Sequence, residues 1–547
     1  MNLSRLFHTI RWLKPVQVYG RLWFAIKRKL LNAGNPGNLS KLACELKSQL
    51  PLDRNQPFDL RFLNHSQQFV PAAMKWHSRD FAGNTEKLWL YHLNYFNWLF
   101  DGQLDNLPQL KLFLMLDWIE KNTSSRSETW EPYVVSRRLC NWVMWLQSNT
   151  ESGDPYADCV SQSVAGQCRR LWSDLEYHIQ ANHLLENLRA LFVATVFLAE
   201  RQGELDSELE TRLIFCAREL ISQIRMQFFA DGGHFERSPM YHLEMLDAVE
   251  AVRLANRRLL QFTQPESSLK QQARSLETLC EDQVPLLRDW LAVVTHPDGK
   301  IAQFNDATLC AGIRRQGRAM NYLLDNSGFF VRRTDDSYFV MSCGEPSPSF
   351  QPGHTHCDIM SFELSLKDKR CIVDTGIGSY QNTQIREECR RTSAHNLPMI
   401  EHAEQSDIWA QFRIGKRAKV IHRHFDSEHN RLEIEMLDQY NQRFRREVIF
   451  ANNSLRVRDR MFDRRVTGTF VSLLHLAPQI QVIPGDEPGN YGFALANTEF
   501  KVVTAARLRV EGYVWYPDFG LPVNAEKLIL SNHETEAIDY AITWKTT

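Results

Sequence analysis

The sequence predicts a multidomain α+β chain, with a helical domain over residues 1–325 and an antiparallel β-sandwich over residues 326–547. Three observations predict it. At 547 residues the chain is too long for one hydrophobic core, since single domains run to about 100–200 residues. Up to about residue 325 apolar residues recur at three- and four-residue spacing, the period of amphipathic helices. Beyond that point the period changes to two, the period of half-buried strands.

In the first part the spacing predicts helices over 110–121, 134–147, 183–201, 208–229, 241–262 and 275–294, and no strand. Helices that each carry one apolar stripe must close on themselves or stack as a solenoid to bury those stripes. In the second part ten segments alternate, from GFFVRRTDDSYFVMSC through IMSFELSL, RCIVDTG and RLEIEML to AIDYAITW. Short strands separated by turn signals predict one large antiparallel sandwich.

Sixty-four basic and sixty-five acidic side chains leave a net charge of -1, so no bulk field draws the chain to nucleic acid or anionic lipid. No nucleic-acid partner is expected. The eleven cysteines are odd in number and form no CxxC pair, which predicts free thiols rather than a disulfide framework. The first thirty-one residues are basic and amphipathic, without the unbroken apolar run and small-residue cleavage site of a signal peptide. No stretch approaches 18 apolar residues, so no transmembrane segment is expected.

Four constellations could carry chemistry. Asn182, His183 and Glu186 fall on the first turns of one helix, where they form either a polar cluster or a cap and a solvated pair. In the segment 231–242, Ser238-Pro239 reads as a helix start. Tyr241 then lies in the first turn, where the helix dipole favours a phenolate. Beside Arg237 and His234 it could act as a general acid or base, or be a core tyrosine under a capped helix.

The third constellation is Gly353-His354-Thr355-His356-Cys357-Asp358. If extended, it puts His354, His356 and Asp358 on one face at the edge of an apolar strand. Burying three ionisable groups without partners would cost several kcal/mol, which points to catalysis or metal ligation. The fourth is Asp374-Thr375-Gly376, followed by Arg391 to Asn396. A turn at 367–370 would pair residue 366 with 371 and set Asp374 opposite Glu363. His356, Asp374 and a third imidazole such as His395 could then meet around one cation as a zinc-type nitrogen and oxygen set. Asp374 could equally be a turn cap before Gly376.

These blocks, in this order, resemble the heparinase II/III family of polysaccharide lyases. The resemblance rests on Asn182-His183-x-x-Glu186, on Asp231-Gly232-x-x-Phe235-Glu236-Arg237-Ser238-x-x-Tyr241-His242, and on Gly353-His354-x-His356-x-Asp358. Asp374-x-Gly376 and Arg391-x-x-x-His395-Asn396 complete it. It implies an incomplete (α/α) toroid followed by the sandwich. It also implies that Tyr241 and His354 are catalytic, that Asn182 or His183 neutralises the substrate carboxylate, and that Glu186 orients them. His356, Asp374 and His395 would hold one structural divalent metal, zinc rather than calcium or magnesium. A block from Trp130 to Trp142 also looks like a family segment, with Arg138 as a sugar contact beside Trp130, and Arg237 is the remaining substrate-binding candidate.

The expected reaction is β-elimination on an acidic, uronic-acid-containing polysaccharide such as a glycosaminoglycan, giving a 4,5-unsaturated product. A glycoside hydrolase using Glu186 and Glu236 is the enzymatic alternative. A non-catalytic glycan-binding protein of surface polysaccharide assembly is the other. The resemblance places the protein in the periplasm or cell envelope, whereas the missing signal peptide points to the cytoplasm.

Overall fold

The structure is a computed structural model that describes residues 3–30, 37–78, 87–124, 126–151, 153–315, 320–381, 384–484, 490–495, 498–532 and 535–545. Two compact units emerge, and neither is a single stretch of chain. The helical unit comprises Lys14–Gln227 and Met245–Pro285. The β unit comprises Met1–Leu13, Phe228–Glu244 and Leu286–Thr547. Segment 228–244 therefore leaves the helical half of the sequence to join the β unit, and it brings Tyr241 with it.

The helices read from periodicity are Pro108–Lys121, Pro132–Asn149, Ala181–Gln202, Ser207–Gln227, Pro239–Phe262 and Ser268–Val293. Three of them begin on a proline at the first helical position, where its fixed φ suits the helix and its missing N–H costs nothing. Apolar spacing starts two residues later and so under-reads these ends. The core of the helical unit is aromatic. Trp118 meets Trp142 edge-on at 5.5 Å and Trp130 at 5.4 Å.

The expectation of no strand before residue 325 is corrected. Phe58–Phe62 and His65–Phe69 form an antiparallel hairpin with Phe62 opposite His65. Its turn residues Leu63 and Asn64 have φ of 51° and 59°. Positive φ at both positions is the two-residue turn whose twist matches paired strands. A further strand, Met320–Leu324, precedes residue 325.

The β unit holds an eight-stranded, a five-stranded and a four-stranded antiparallel sheet around one apolar core, with a small two-stranded pair, Ile408–Trp409 and Arg413–Ile414, besides. A five-stranded meander runs Met320–Leu324, Phe329–Arg333, Ser337–Ser342, Phe362–Leu366, Lys369–Ile372. An eight-stranded sheet begins at Lys419–Asp426, and a four-stranded sheet includes Pro398–Ile400 and Phe470–His475. Phe339 of the meander packs edge-on against Phe450 of the large sheet at 5.1 Å. From the same strand, six residues before Phe450, Phe444 stacks on Phe470 of the small sheet at 6.2 Å.

The hairpin carrying Glu363 and Asp374 turns more tightly than its sequence suggests. Leu366 pairs with Lys369, and a bulge then brings Leu364 opposite Ile372. The bulge recovers one residue of the two-residue slip, and the Asp374 N–H reaches the Glu363 side chain, donating to Oε1 at 3.2 Å.

Candidate active site

Helix Pro239–Phe262 starts as its sequence predicts. Ser238 Oγ accepts the Tyr241 N–H at 3.2 Å and donates to the carbonyl of Asp306 at 2.6 Å. The cap thus fastens the helix start to the loop around residue 306. Arg237 turns the chain into it with a φ of 56°, and its carbonyl accepts from Asn305 Nδ2 at 2.8 Å.

The Tyr241 ring lies on the His354 imidazole, with centroids 3.7 Å apart and planes 27° from parallel. Tyr241 Oη is 3.1 Å from Tyr380 Oη. Behind His354 sits Asp306, whose carboxylate is fully buried and taken from three directions. His354 Nδ1 bonds Oδ2 at 2.8 Å, His356 Nε2 bonds Oδ1 at 2.8 Å, and Arg386 grips both oxygens. Phe412 closes this side, 6.0 Å from the His354 ring and 5.6 Å from Tyr380. The His354 side chain keeps 12 % of its surface exposed while Asp306 keeps none, so the imidazole is the group that faces out.

Burial pushes the Tyr241 phenol well above its ordinary pKa, and the Tyr380 hydroxyl beside it adds to the shift. The helix dipole expected to favour a phenolate is outweighed, so Tyr241 rests as a proton donor. Burial works against ionised Asp306 too, but the Arg386 guanidinium and the two imidazole bonds hold its carboxyl well below the usual range. Burial takes His356 down to about 3, so it is neutral.

His356 and His395 are neighbours, with ring centroids 5.4 Å apart. His395 Nδ1 bonds Asp374 Oδ2 at 2.8 Å, and Asp374 Oδ1 accepts the Gly376 N–H at 3.2 Å. Asp374 is therefore a turn cap and the partner of His395 at once. Gly376 has a φ of 72°, and a Cβ there would lie 2.2 Å from the Tyr516 carbonyl oxygen. His356 Nδ1 and His395 Nε2 are buried without a hydrogen-bond partner, two imidazole nitrogens of the kind a borderline metal takes. Among the described residues, no three His, Cys, Asp or Glu side chains already converge as an ion's ligands.

The other sequence-selected residues have different fates. Arg237 donates through Nη2 to the Asn326 carbonyl at 3.3 Å and through Nη1 to that of Glu345, and it lines a surface cavity with Asp325 and Val420. His234 is fully buried, with its N–H on His242 Nδ1 at 3.2 Å, and takes no part beside Tyr241. In the helical unit, buried Asn182 opens helix Ala181–Gln202, and Glu186 pairs with Arg189 one turn on. His183 Nδ1 bonds Glu176 Oε2 at 3.1 Å, and its ring lies 4.6 Å from that of Tyr133.

Two assignments are corrected. Arg138 is not a sugar contact. It is fully buried, bonded to Gln167 and to the carbonyls of Thr129 and Asn94, with its guanidinium 3.8 Å from the Trp118 ring centre. Trp130 packs in the same aromatic core. Sequence reasoning also missed Asp306, Arg386 and Tyr380. Asp306 lies in an irregular loop and the others near a seven-residue helix, Gln384–Arg390, with no periodic pattern to draw attention to them.

Residues 106–315 match the domain described as Heparinase II/III N-terminus, and residues 316–545 match Heparinase II/III-like, C-terminal. The chain belongs to the heparinase II/III family. A heparin-sulfate lyase of Pedobacter heparinus is 28% identical over 321 residues, 52% of this chain and 47% of the relative. The chain thus matches about half the length of that curated relative. A solved structure of a heparan sulfate lyase HepC mutant from Pedobacter heparinus has a TM-score of 0.61 at 15% identity, covering 94% of this chain and 84% of that one. A structure of heparinase III gives 0.63 at 16%, over 86% and 78%. At these identities the likeness is one of fold, and the family's α+β class, a helical toroid with an antiparallel β domain, is the one this chain adopts.

The His183–Glu176 pair makes a checkable electrostatic statement. Burial alone would lower the His183 pKa, but Glu176 outweighs it and raises the pKa above the ordinary 6.5. The stability gained from the pair is therefore complete below the unfolded pKa of about 6.5 and is lost as pH rises through the higher folded value. In Glu176→Gln the NMR titration midpoint of His183 should fall below that of the unfolded histidine. A midpoint that does not move would remove Glu176 as the cause.

Proposed function

We propose that this heparinase II/III family chain is a polysaccharide lyase that cleaves an acidic, uronic-acid-containing glycan by β-elimination. The observation that carries the reading is the stack of neutral Tyr241 on His354, with Asp306 bonded to His354 Nδ1. In this chemistry a base removes the proton on C5, charge spreads into the C6 carboxylate, and the bond from C4 to the leaving oxygen breaks. With Nδ1 donating to Asp306, proton exchange with a substrate runs through His354 Nε2, and Asp306 stabilises the imidazolium that forms. Tyr241, resting protonated, delivers the proton to the departing oxygen. These roles hold for one C5 configuration of the sugar, and the opposite configuration exchanges acid and base between Tyr241 and His354. Neutralising the uronate carboxylate is assigned to Asn182 and His183, as the family resemblance implies, because the enolate-like intermediate needs hydrogen-bond donors at its charged end.

We also propose one structural divalent ion, zinc by donor chemistry, with His356, Asp374 and His395 as the residues that would hold it. Its role would be to fix the loop that carries His354, and no step of the reaction passes through it. A location in the periplasm or cell envelope, where acidic polysaccharides are met, belongs to the same reading. Fractionation of the source cell should recover the protein there, and recovery in the cytosol alone would overturn that placement.

Two measurements test the chemistry. On a panel of uronate polysaccharides the wild-type protein should generate ultraviolet absorbance from the conjugated 4,5-unsaturated product, which a hydrolase does not make. Tyr241→Phe should lower kcat by about 10²–10⁴, the usual contribution of a positioned acid or base. Full activity in that variant would sink the assignment. For the ion, elemental analysis should find one transition metal per chain, and a chelator should lower the melting temperature. His356→Ala should reproduce that loss. A metal-free protein with a chelator-insensitive melting curve would remove the site.

A further inference from the structure

The net charge of -1 hides a segregation. Residues 1–44 contain eight Lys and Arg and no Asp or Glu, which leaves 56 basic against 65 acidic side chains in the remainder. Among the described residues, this basic segment also holds the densest run of exposed large apolar side chains. Helix Pro15–Leu30 of the helical unit shows how they are placed. Its inner face docks through buried Gln17, through Gly20, where a Cβ would lie 3.1 Å from His178 Cβ, and through Phe24, stacked on His178 at 4.3 Å. Lys27 completes that face with Asp174 at 3.4 Å. These positions are spaced by three or four residues, so they line one side of the helix.

The opposite side carries Val18, Tyr19, Leu22, Trp23 and Ile26, each between 42% and 67% exposed. Five large apolar residues along one stripe of a docked helix thus leave two-fifths or more of their surface in solvent. Arg21 flanks the stripe, and Arg28 and Lys29 follow it in sequence. The short helix Leu3–Ile10, in the β unit, repeats the design. Arg5 and Thr9 hold it to Asp407 and the Ile414 carbonyl, while Leu3, Phe7 and Ile10, at helical spacing, are exposed.

We propose that the exposed face of helix Pro15–Leu30 is a docking surface for an anionic lipid bilayer, on which the helix lies in the interface plane. An apolar stripe with Trp and Tyr, flanked by Arg21 in a 44-residue segment with eight basic residues and no acid, matches acyl chains beneath negative headgroups. A second copy of the chain would present the same positive charge to itself, and nucleic acid would use the charge but not the stripe. No helix among the described residues is long and apolar enough to cross a membrane, so attachment at the surface is the form this contact takes. The inference stands apart from the proposed lyase reaction and does not rest on it.

Flotation of the full chain with vesicles tests the proposal. The protein should float with phosphatidylglycerol–phosphatidylcholine vesicles, should do so less as salt is raised, and should stay down with phosphatidylcholine alone. Leu22→Ser/Trp23→Ser keeps every charge and should reduce flotation at least about ten-fold, since burying each such side chain is worth more than one such factor. An unchanged melting temperature would show that the variant folds. Unreduced flotation of a folded variant would overturn the proposal, as would failure of the wild type to float. If the double variant misfolds, Val18→Ser and Ile26→Ser tested singly should each weaken flotation, and no effect from either would likewise overturn it. Sedimentation showing a dimer that the same substitutions dissociate would assign the face to a second copy instead. Salt-sensitive binding of duplex DNA that the double variant retains, without flotation, would assign it to nucleic acid.

Discussion

A buried carboxylate organises the β unit's polar centre. Asp306 has no exposed side-chain surface, and ionising a carboxyl there without partners would cost several kcal/mol. It ionises because Arg386, His354 and His356 all donate to it. The donors arrive on two pieces of chain, His354 and His356 on one loop and Arg386 on helix Gln384–Arg390, so satisfying one charge ties the two together. The backbone of Asp306 ties His354 a second time and adds Ser238: its N–H donates to the His354 carbonyl at 3.1 Å, and its carbonyl receives the Ser238 hydroxyl. The helix start carrying Tyr241 and the loop carrying His354 are therefore tied to one residue that the substrate need never touch.

Burial is nearly uniform across this centre, yet its titratable groups end in different states. Tyr241 and Tyr380 stay neutral because burial dominates at both: Tyr380 further disfavours a phenolate on Tyr241, and at Tyr380 the loss of water and the Asp306 charge outweigh Arg386 and the Tyr241 hydroxyl, which act the other way. Asp306 ionises because a guanidinium does compensate. The two neighbouring histidines separate for the same reason. His356 shares its carboxylate with Arg386 and is driven down to about 3, whereas Asp374 outweighs burial at His395 and raises it. A neutral phenol stacked on an imidazole that is backed by a carboxylate is a resting state from which a proton can be given and another taken. Environment, not residue type, creates that pairing.

Periodicity made the helices legible, because an apolar stripe is repeated over many turns and tolerates noise. The hairpin at residues 58–69 escaped because each strand is only five residues long and the second buries little more than Phe69. The motif residues His354, His356, Asp374 and His395 were legible as a cluster, since ionisable groups entering an apolar face demand an explanation. Their mutual geometry was not, because the partner of His356 is Asp306, 50 positions away in a loop without pattern. Arg138 misled for a related reason. An arginine in a mixed polar and aromatic run reads as exposed, and only the carbonyls of Thr129 and Asn94 reveal why it is inside. Net charge misled too, since a sum near zero cannot report that the first 44 residues hold eight basic side chains and no acidic one.

Three fully buried arginines show how different the demands of one side chain can be. Arg446 meets Asp459 through two bonds of 2.7 Å, and Arg386 meets Asp306; in both the carboxylate outweighs burial and the guanidinium pKa rises. Arg138 has carbonyls, an amide and a tryptophan face but no carboxylate, and burial drives its pKa well below the ordinary value. The consequence is asymmetric. Removing Arg138 deletes a charge that nothing else depends on for neutrality, whereas removing Arg386 or Arg446 strands a buried carboxylate, the more damaging error in a dry interior. For Arg446 that error stays inside the sheet core. For Arg386 it falls on Asp306, the carboxylate that holds His354 Nδ1 and His356 Nε2. The guanidinium thus supports the one carboxylate that positions the imidazole stacked on Tyr241.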